Sequence, residues 1–263
     1  MKDNSTCSCE ALGSTTQQLL PLIAKMAPEY WSWDYDPQVS KNEVFIEDNR
    51  VTFHREYSYG TAAVRAKKRL TANTIAYWEI RVPHRLFGTS VMFGIGNDCA
   101  QHSLVHRFEN LLGADSNSYG LSHTGHIFHD GLCVRFCERF PARGSTAVGL
   151  MFHGPSASLA YFRDGSLLGV AFSHIDLSRP LYPMISSTAQ KSEFILCEQR
   201  FLHMTPYSLC ECALQCISRL VRNDTLLDSL HLPLNLNLEL CERINARTRR
   251  RLCMQHSSIV VHN

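Results

Sequence analysis

The stretch Tyr77-Trp78-Glu79-Ile80-Arg81-Val82 limits what this chain can fold into more tightly than any other. In an extended segment Trp78, Ile80 and Val82 fall on one face, and Glu79 and Arg81 on the other. That alternation fits a strand with one buried face. Related texture runs from Trp31 to about Arg200. Val44-Phe45-Ile46 and Val51-Thr52-Phe53 flank Asp48-Asn49, which predicts a hairpin turn. Val91 to Ile95 is an apolar run closed by Gly96. Ser158 to Phe172 contains Asp164-Gly165, the strongest short-range hairpin signal, and Phe194-Ile195-Leu196 closes the series. One short helical piece is expected around Leu104 to Leu112, ending at Gly113 as its C′ residue. Many short strands parted by Gly, Asp and Asn turns predict a mainly β chain built as an antiparallel β-sandwich. The absence of βαβ alternation, of a Gly-x-x-x-x-Gly-Lys loop and of a Gly-x-Ser-x-Gly elbow argues against a parallel nucleotide-binding sheet and against that hydrolase design.

The flanks have other textures. Residues 1–13 are small and polar and are expected to be disordered. Ser14 to Lys25 reads as a short helix capped by Ser14, with Leu19, Leu20, Leu22 and Ile23 on or near one face and Pro21 limiting its length. After Arg200, Leu209, Ala213, Ile217 and Leu220 recur at helical spacing. So do Leu236, Leu240 and Ile244, with Leu238 and Cys241 beside them, and Pro233 separates the two stretches. A helical module of this size, about Thr205 to Leu252, is too short to own a full core. It must lean on the sandwich or on a partner. The resulting division is an N-terminal extension (1–28), a sandwich (29–202), a small helical module (203–245) and a basic tail (246–263).

With 263 residues, 44% of them apolar and 19% charged, the chain suits one large or two unequal domains with a substantial core. A net charge of +2 gives no general reason to expect nucleic acid or an anionic membrane as partner. No apolar run reaches the roughly 18 residues of a bilayer span, and the N-terminus lacks a signal peptide's apolar core. The eleven cysteines are therefore expected to stay reduced, in cytoplasm or nucleus. Cys133 with Cys137, and Cys210, Cys212 and Cys216, have short spacings, but neither set has the second half of a zinc site. His123, His126 and His129 are regularly spaced in strand-like and turn-like sequence. These groups read as ordinary thiols and imidazoles, and no metal or other cofactor is expected. No nucleophile, base and orienter form a legible constellation, so the chain reads as non-catalytic. Arg247-Thr248-Arg249-Arg250-Arg251 is either a nuclear address or a solvated helix end.

Further motifs carry a resemblance. Tyr77-Trp78-Glu79-Ile80, Gly88-Thr89, Val91-Met92-Phe93-Gly94-Ile95-Gly96, Leu111-Leu112-Gly113 with Ser118-Tyr119-Gly120-Leu121, and Leu181-Tyr182-Pro183 resemble a SPRY domain. The Ser208-Leu209 helix and Leu232-Pro233-Leu234 resemble a SOCS box. In this order they resemble the SPRY domain- and SOCS box-containing proteins. Within that family the resemblance is to the third member, through Phe53-His54, Glu56-Tyr57-Ser58, Gly60-Thr61-Ala62-Ala63 and Ser187-Thr188-Ala189. It spans roughly residues 30–245.

The resemblance implies a non-catalytic substrate receptor of a cullin-RING ubiquitin ligase. The SPRY loops would bind a short, Asn-rich peptide of a substrate destined for degradation. The SOCS box would bind elongin B and elongin C, and its distal half a cullin scaffold, cullin five, with its RING protein. Aligned residue by residue, the implied peptide contacts are Arg55, Tyr57, Thr89, Phe108, Thr188 and Ala189. Tyr57 stands where other members have a loop Pro, Phe108 lacks the hydroxyl of their Tyr, and Ala189 replaces a large aromatic, which would open the pocket. Arg55 offers five donors to peptide carbonyls; as an ordinary surface residue it would pair with Glu47 or Glu56. The implied elongin C contacts are Ser208, Leu209, Ala213 and Ile217. The family's Cys position is Ala213, and Cys212 faces about 100° away on the helix. That exchange loses one buried sulfur, on the order of 1 kcal/mol, whereas Leu209 contributes roughly 1.5–3 kcal/mol when buried. The implied cullin contacts are Leu232, Pro233 and Leu234; Asn235 stands where a second Pro is expected nearby. Two blander arrangements compete with this one. The helix can pack on its own sandwich, leaving a SPRY peptide-binding scaffold without ligase recruitment, and Pro233 can simply break one helix from the next.

Overall fold

The computed structural model describes residues 19–37, 39–203, 213–214, 217, 232–233, 236–237 and 240–241. The chain parts into two units between Met204 and Thr205.

In the first unit the described strands begin with β1 (Ala27–Pro28), β2 (Trp33–Asp34), β3 (Val44–Glu47), β4 (Arg50–Phe53), β5 (Gly60–Ala66) and β6 (Thr74–Val82). Next come β7 (Val91–Gly96), β8 (Ser103–Val105), β9 (Ser118–Ser122), β10 (His126–His129), β11 (Leu132–Arg135) and β12 (Thr146–His153). The last are β13 (Ser158–Arg163), β14 (Ser166–Phe172), β15 (Tyr182–Ser187) and β16 (Ser192–His203). They form two sheets. One has the order β14-β13-β12-β6-β16-β4-β3, with β1 also on β16; the other has β11-β10-β9-β7-β15-β5-β2, with β8 also on β5. Every described pairing is antiparallel.

The alternation read in Tyr77–Val82 holds in β6. Trp78, Ile80 and Val82 are buried in the main core, Glu79 is half-buried and Arg81 exposed. Aromatic edges lock this core. Phe194 of β16 meets Phe53 at 5.5 Å and 85° and Phe93 of β7 at 6.0 Å and 67°, geometry that the ring quadrupoles favour. Tyr161 is fully buried, and its hydroxyl donates to the Phe93 carbonyl at 3.0 Å, tying β13 of one sheet to β7 of the other.

Both predicted hairpins form. Glu47 pairs with Arg50 across a turn in which Asp48 has φ 53°. Arg163 pairs with Ser166 across Asp164 (φ 50°) and Gly165 (φ 78°), the two positive φ values a tight two-residue turn needs. The Asp164 carboxylate accepts the Ala147 N–H at 2.8 Å, holding the turn against β12. Residues 19–25 are helical, and Leu19, Leu22 and Ile23 pack with Met26 on the outer face of β6, β12 and β13, against Ile75, Tyr77, Met151, Ala160 and Phe162. Leu20 points away and is exposed. Residues 1–18, including the Ser14 cap, lie outside the described residues.

The expected helix at Leu104–Leu112 does not form. Leu104 instead pairs with Thr61, and Val105 with Gly60, in the ladder between β8 and β5. Beyond it the Thr61 hydroxyl lies 2.8 Å from the Glu109 carbonyl and 3.0 Å from the Arg107 carbonyl, and accepts the Glu109 N–H at 3.1 Å. These bonds hold the segment as a loop. Gly113 does adopt the left-handed φ of 84°, but it closes that loop and not a helix.

In the second unit, residues 213, 214 and 217 are helical, as are 236, 237, 240 and 241. Leu214 and Leu240 are buried against each other, with Ile217, Leu232, Leu236 and Cys241 packed around them. Ala213 is exposed. Of the apolar series read from the sequence, Ile217 packs on this cluster and Ala213 does not; Leu214, outside that series, is the residue buried in it. The Pro233 carbonyl accepts the N–H groups of Leu236 and Asn237, both at 3.0 Å, so the second helix starts from this proline. Pro233 has no N–H to offer and is tolerated at such a start. Ser208, Leu209, Leu234, Cys210, Cys212, Cys216 and the basic tail lie outside the described residues.

Candidate functional site

Loops leaving β4, β6, β8 and β15 are stitched together around Thr188. The Thr188 N–H donates to the Ser90 carbonyl at 2.9 Å, and its hydroxyl both accepts the Ser90 N–H at 3.0 Å and donates to the Ser90 carbonyl at 3.1 Å. The Ser58 hydroxyl donates to the Thr188 carbonyl at 2.7 Å. The Ser90 hydroxyl donates to Asn110 Oδ1 at 2.7 Å, and the His106 N–H to the Tyr59 carbonyl at 2.6 Å. The Gln190 side chain reaches the Glu56 carbonyl. These bonds bring together residues 54–60, 88–90, 106–110 and 187–191.

Two residues permit the close approach. Gly88 has φ 99°, and a Cβ there would sit 2.9 Å from Ala189 Cβ and 3.0 Å from the Thr188 hydroxyl. His54 has φ 51° and is fully buried. Its Nε2 lies 3.0 Å from the Ser187 carbonyl, and its own carbonyl accepts the Lys191 N–H at 3.1 Å. Burial lowers the His54 pKa below its ordinary 6.5, with the Ser187 bond and Glu43 acting the other way. The neutral ring therefore donates from Nε2 to Ser187, leaving Nδ1 buried without a partner.

On this underpinning stands an exposed rim. Arg55 lies with its guanidinium 4.0 Å over the Phe45 ring, which orients the fork and leaves its edge to a ligand. It makes no ion pair with Glu47 or Glu56. Tyr57 and Tyr59 are 64% and 52% exposed with ring centroids 6.3 Å apart, and Phe108 is 43% exposed. Thr89 is exposed beside Gly88.

The SPRY domain family model matches residues 75–199. SPRY domain-containing SOCS box protein 3 of Xenopus laevis is 37% identical over 164 residues, 62% of this chain and 44% of the relative. The Xenopus tropicalis protein of the same name is 36% identical over 164 residues, with the same coverage of 62% and 44%. Over this region the chain carries a SPRY domain and is similar to the SPRY domain-containing SOCS box proteins. Protein gustavus of Drosophila melanogaster is 27% identical over 169 residues, 59% of this chain and 58% of that protein. The matched stretch thus spans less than half the length of the two frog relatives.

Within the first unit the six expected peptide contacts sort into two kinds. Arg55, Tyr57, Thr89 and Phe108 present side chains to solvent at the rim. Thr188 and Ala189 are 5% and 3% exposed, so they hold the loops together beneath it. The Ala189 methyl sits under Gly88, and the space left by the missing aromatic does not open as a pocket there. Sequence reasoning missed Tyr59 and Asn110. Tyr59 follows Tyr57 at strand spacing, a signal that was available; Asn110 is placed by Ser90, across the fold.

The histidine triplet is divided among separate tasks. His123 is buried and accepts the Val91 N–H through Nδ1, His126 contacts Thr124, and His129 stacks on Tyr119 at 3.8 Å. No group of three metal-ligating side chains converges among the described residues. A separate cleft of about 760 Å³ is lined by Asp34, Asp36, Arg65, Asp98, Cys99 and His102 among others. Its charges are paired internally or by a neighbour: His102 with Asp36, Arg65 with Asp34 and Arg179 with Asp98.

Proposed function

We propose that this chain is the substrate-recognition subunit of an elongin B/C-containing cullin-RING ubiquitin ligase. Its SPRY loops grip a short peptide of the substrate, and its C-terminal unit docks the adaptor as a SOCS box. The observation that carries the reading is the convergence of four loops on Thr188, which presents Arg55, Tyr57, Thr89 and Phe108 on one rigidified rim. Such a surface suits an extended peptide. The Arg55 fork meets main-chain or Asn side-chain carbonyls through charge-assisted bonds of roughly 1.5–3 kcal/mol each. The tyrosines supply apolar area with few rotatable bonds. Thr89 supplies a donor and an acceptor.

The C-terminal half of the proposal is supported by the names of the frog relatives and by the exposure of Ala213 beside a small cluster built on Leu214 and Leu240. Ala213 is one of the positions assigned to elongin C, together with Ser208, Leu209 and Ile217. Leu232, Pro233 and Leu234 are assigned to the cullin, taken as cullin five. Ubiquitin transfer, leading to proteasomal degradation of the substrate, belongs to the partner assembly, so the chain itself contributes no catalyst. It works in cytoplasm, nucleus or both.

Two variants test the halves separately. Leu209→Asp is expected to abolish co-purification with elongin C while the sandwich stays folded; undiminished recovery of elongin C refutes the docking assignment. Arg55→Ala with Thr89→Ala is expected to lower affinity for an Asn-containing peptide by at least roughly tenfold, the loss of one good charge-assisted bond. Unaltered binding removes the rim from the site.

A further inference from the structure

The cleft that holds His102 and Asp36 lies along a strand edge. Strand β5 has β15 on one side and two short strands end to end on the other: β2 at Arg65 and Ala66, and β8 at Gly60 to Ala62. No described strand pairs with β8 on its far side. The bonds at its two ends decide which of its groups are free. The His106 N–H donates to the Tyr59 carbonyl at 2.6 Å, and the Ala63 N–H to the His102 carbonyl at 2.8 Å. Both pairs continue the register of β8 on β5, and in an antiparallel ladder every second pair is bonded in this way. Leu104 therefore bonds inward to Thr61. Ser103 and Val105 turn their N–H and C=O groups away from β5, with no partner among the described residues.

Ser103, Leu104 and Val105 line the cleft of about 760 Å³, as do residues 34–37 and 39 of the segment that follows β2. The His102 ring bonds the Asp36 carboxylate and ties the two sets together. An extended chain inside a sheet fills roughly 160 Å³ per residue, from its rise, strand spacing and layer thickness, so the cleft has room for about four or five residues. At its other end the cleft runs into the rim. Val105 and Arg107 line the cleft, Phe108 stands on the rim, and the His106 N–H makes one of the bonds that hold the rim loops together.

We infer that the substrate peptide, gripped at the rim, continues into this cleft as an extra strand on β8. The inference rests on the peptide-binding reading of the rim and adds to it a second stretch of recognition. Three features fix the occupant. The outward groups of Ser103 and Val105 offer up to four main-chain hydrogen bonds, which an extended chain can take up. Segment 34–39 shares the cleft with β8, which suits a lone segment and not the edge of another folded sheet. Val105 is three residues from Phe108, so a chain leaving the rim meets this edge within a few strand steps of about 3.4 Å. The charges of the lining are already matched: Asp34 with Arg65, Asp36 with His102, Asp98 with Arg179 and Arg107 with Glu109. Uncharged polar side chains such as serine and threonine therefore fit the cleft, and the main chain carries the affinity.

The test measures fluorescein-labelled peptides on the full chain by anisotropy. One probe is an Asn-rich peptide of five residues. Two more carry the same five residues extended by five alternating threonines and serines, at the N-terminal or the C-terminal end. One extended peptide is expected to bind at least roughly tenfold more tightly than the short one, the worth of a few net main-chain bonds. N-methylation of alternate amides of that extension, in two complementary sets, is expected to abolish the gain in one set and keep it in the other, the period of two of a strand. On binding, the Ser103 and Val105 amides are expected to gain protection from hydrogen exchange, whereas that of Leu104 is protected already. Val105→Pro removes an outward N–H without breaking the ladder to β5, and is expected to shrink the ratio of extended to short affinity. Arg55→Ala is expected to weaken both peptides and leave that ratio unchanged. A short peptide that binds while neither extension tightens it overturns the inference and leaves the rim reading standing. A gain that both N-methylated sets retain overturns it as well. Failure of all three peptides to bind overturns the rim reading, and the inference with it.

Discussion

Thr188→Val changes almost no volume and deletes one hydroxyl. In the native loops that hydroxyl is the acceptor for the Ser90 N–H at 3.0 Å, and Ser90 is 1% exposed. The Ser90 carbonyl keeps a donor, the Thr188 N–H at 2.9 Å. Valine therefore orphans one buried N–H, which costs about 1–3 kcal/mol, and gains at most about 0.8 kcal/mol from its extra methyl. The net expectation is a loss of roughly 0.2–2.2 kcal/mol, with a central value of about 1 kcal/mol. For a sandwich of this length, the central value lowers the melting temperature by about 2–4 °C. The chain has three tryptophans, Trp31, Trp33 and Trp78. All three lie in the first unit, so intrinsic fluorescence in a denaturant titration reports on the sandwich without interference from the C-terminal unit. The midpoint should fall with the slope unchanged. Thr188→Ser is the control: it keeps the hydroxyl and loses one methyl, about 1 kcal/mol. A valine variant as stable as the wild type refutes the argument that Thr188 is the structural centre of the loops.

Gly88→Ala should shift the loops apart, because the new methyl meets Ala189 Cβ at 2.9 Å from a backbone held at φ 99°. The expected result is weaker binding of an Asn-containing peptide together with faster amide exchange at Thr188 and Ser90, read by NMR. His54 gives a pH signature. Its folded pKa is lowered below 6.5 by burial, so the unfolded chain binds more protons in that range. Its contribution is complete above 6.5 and is lost as pH falls through the folded value. His54→Gln keeps a donor for the Ser187 carbonyl and does not titrate. Its denaturation midpoint should fall less steeply with acidification than the wild type's. His123 and His153 are also held low by burial, so the slope should shrink and not vanish.

What could be read from the sequence was local. The period of two in β6 and the Asp-Gly and Asp-Asn turns identified strands and hairpins because sterics within a few residues decide them. The segment Leu104–Leu112 was misread for the opposite reason. Its conformation is set by Thr61, some 48 positions away for the Glu109 bonds, and no periodicity in the segment itself carries that information. The rim residues were reachable through motif resemblance, yet their division into exposed and buried members was not. Thr188 and Ala189 are buried by Gly88 and Ser90, which belong to another loop. At the C-terminal end the four-residue spacing named Ala213 and Ile217 as part of one apolar edge; the local pairing of Leu214 with Leu240 is one that no spacing rule names.

The two strands at the heart of the sheets, β15 and β16, are the last of the sandwich to be made. β16 separates β6 from β4, and β15 separates β7 from β5. A nascent chain emerging from the ribosome thus exposes the edges of β6, β4, β7 and β5 until residues 182–203 have cleared the exit tunnel. Before then it can build peripheral hairpins but neither layer. Pairings so distant along the chain close slowly, which makes the growing polypeptide a natural client for chaperones and makes any stop codon before Tyr182 a route to aggregation.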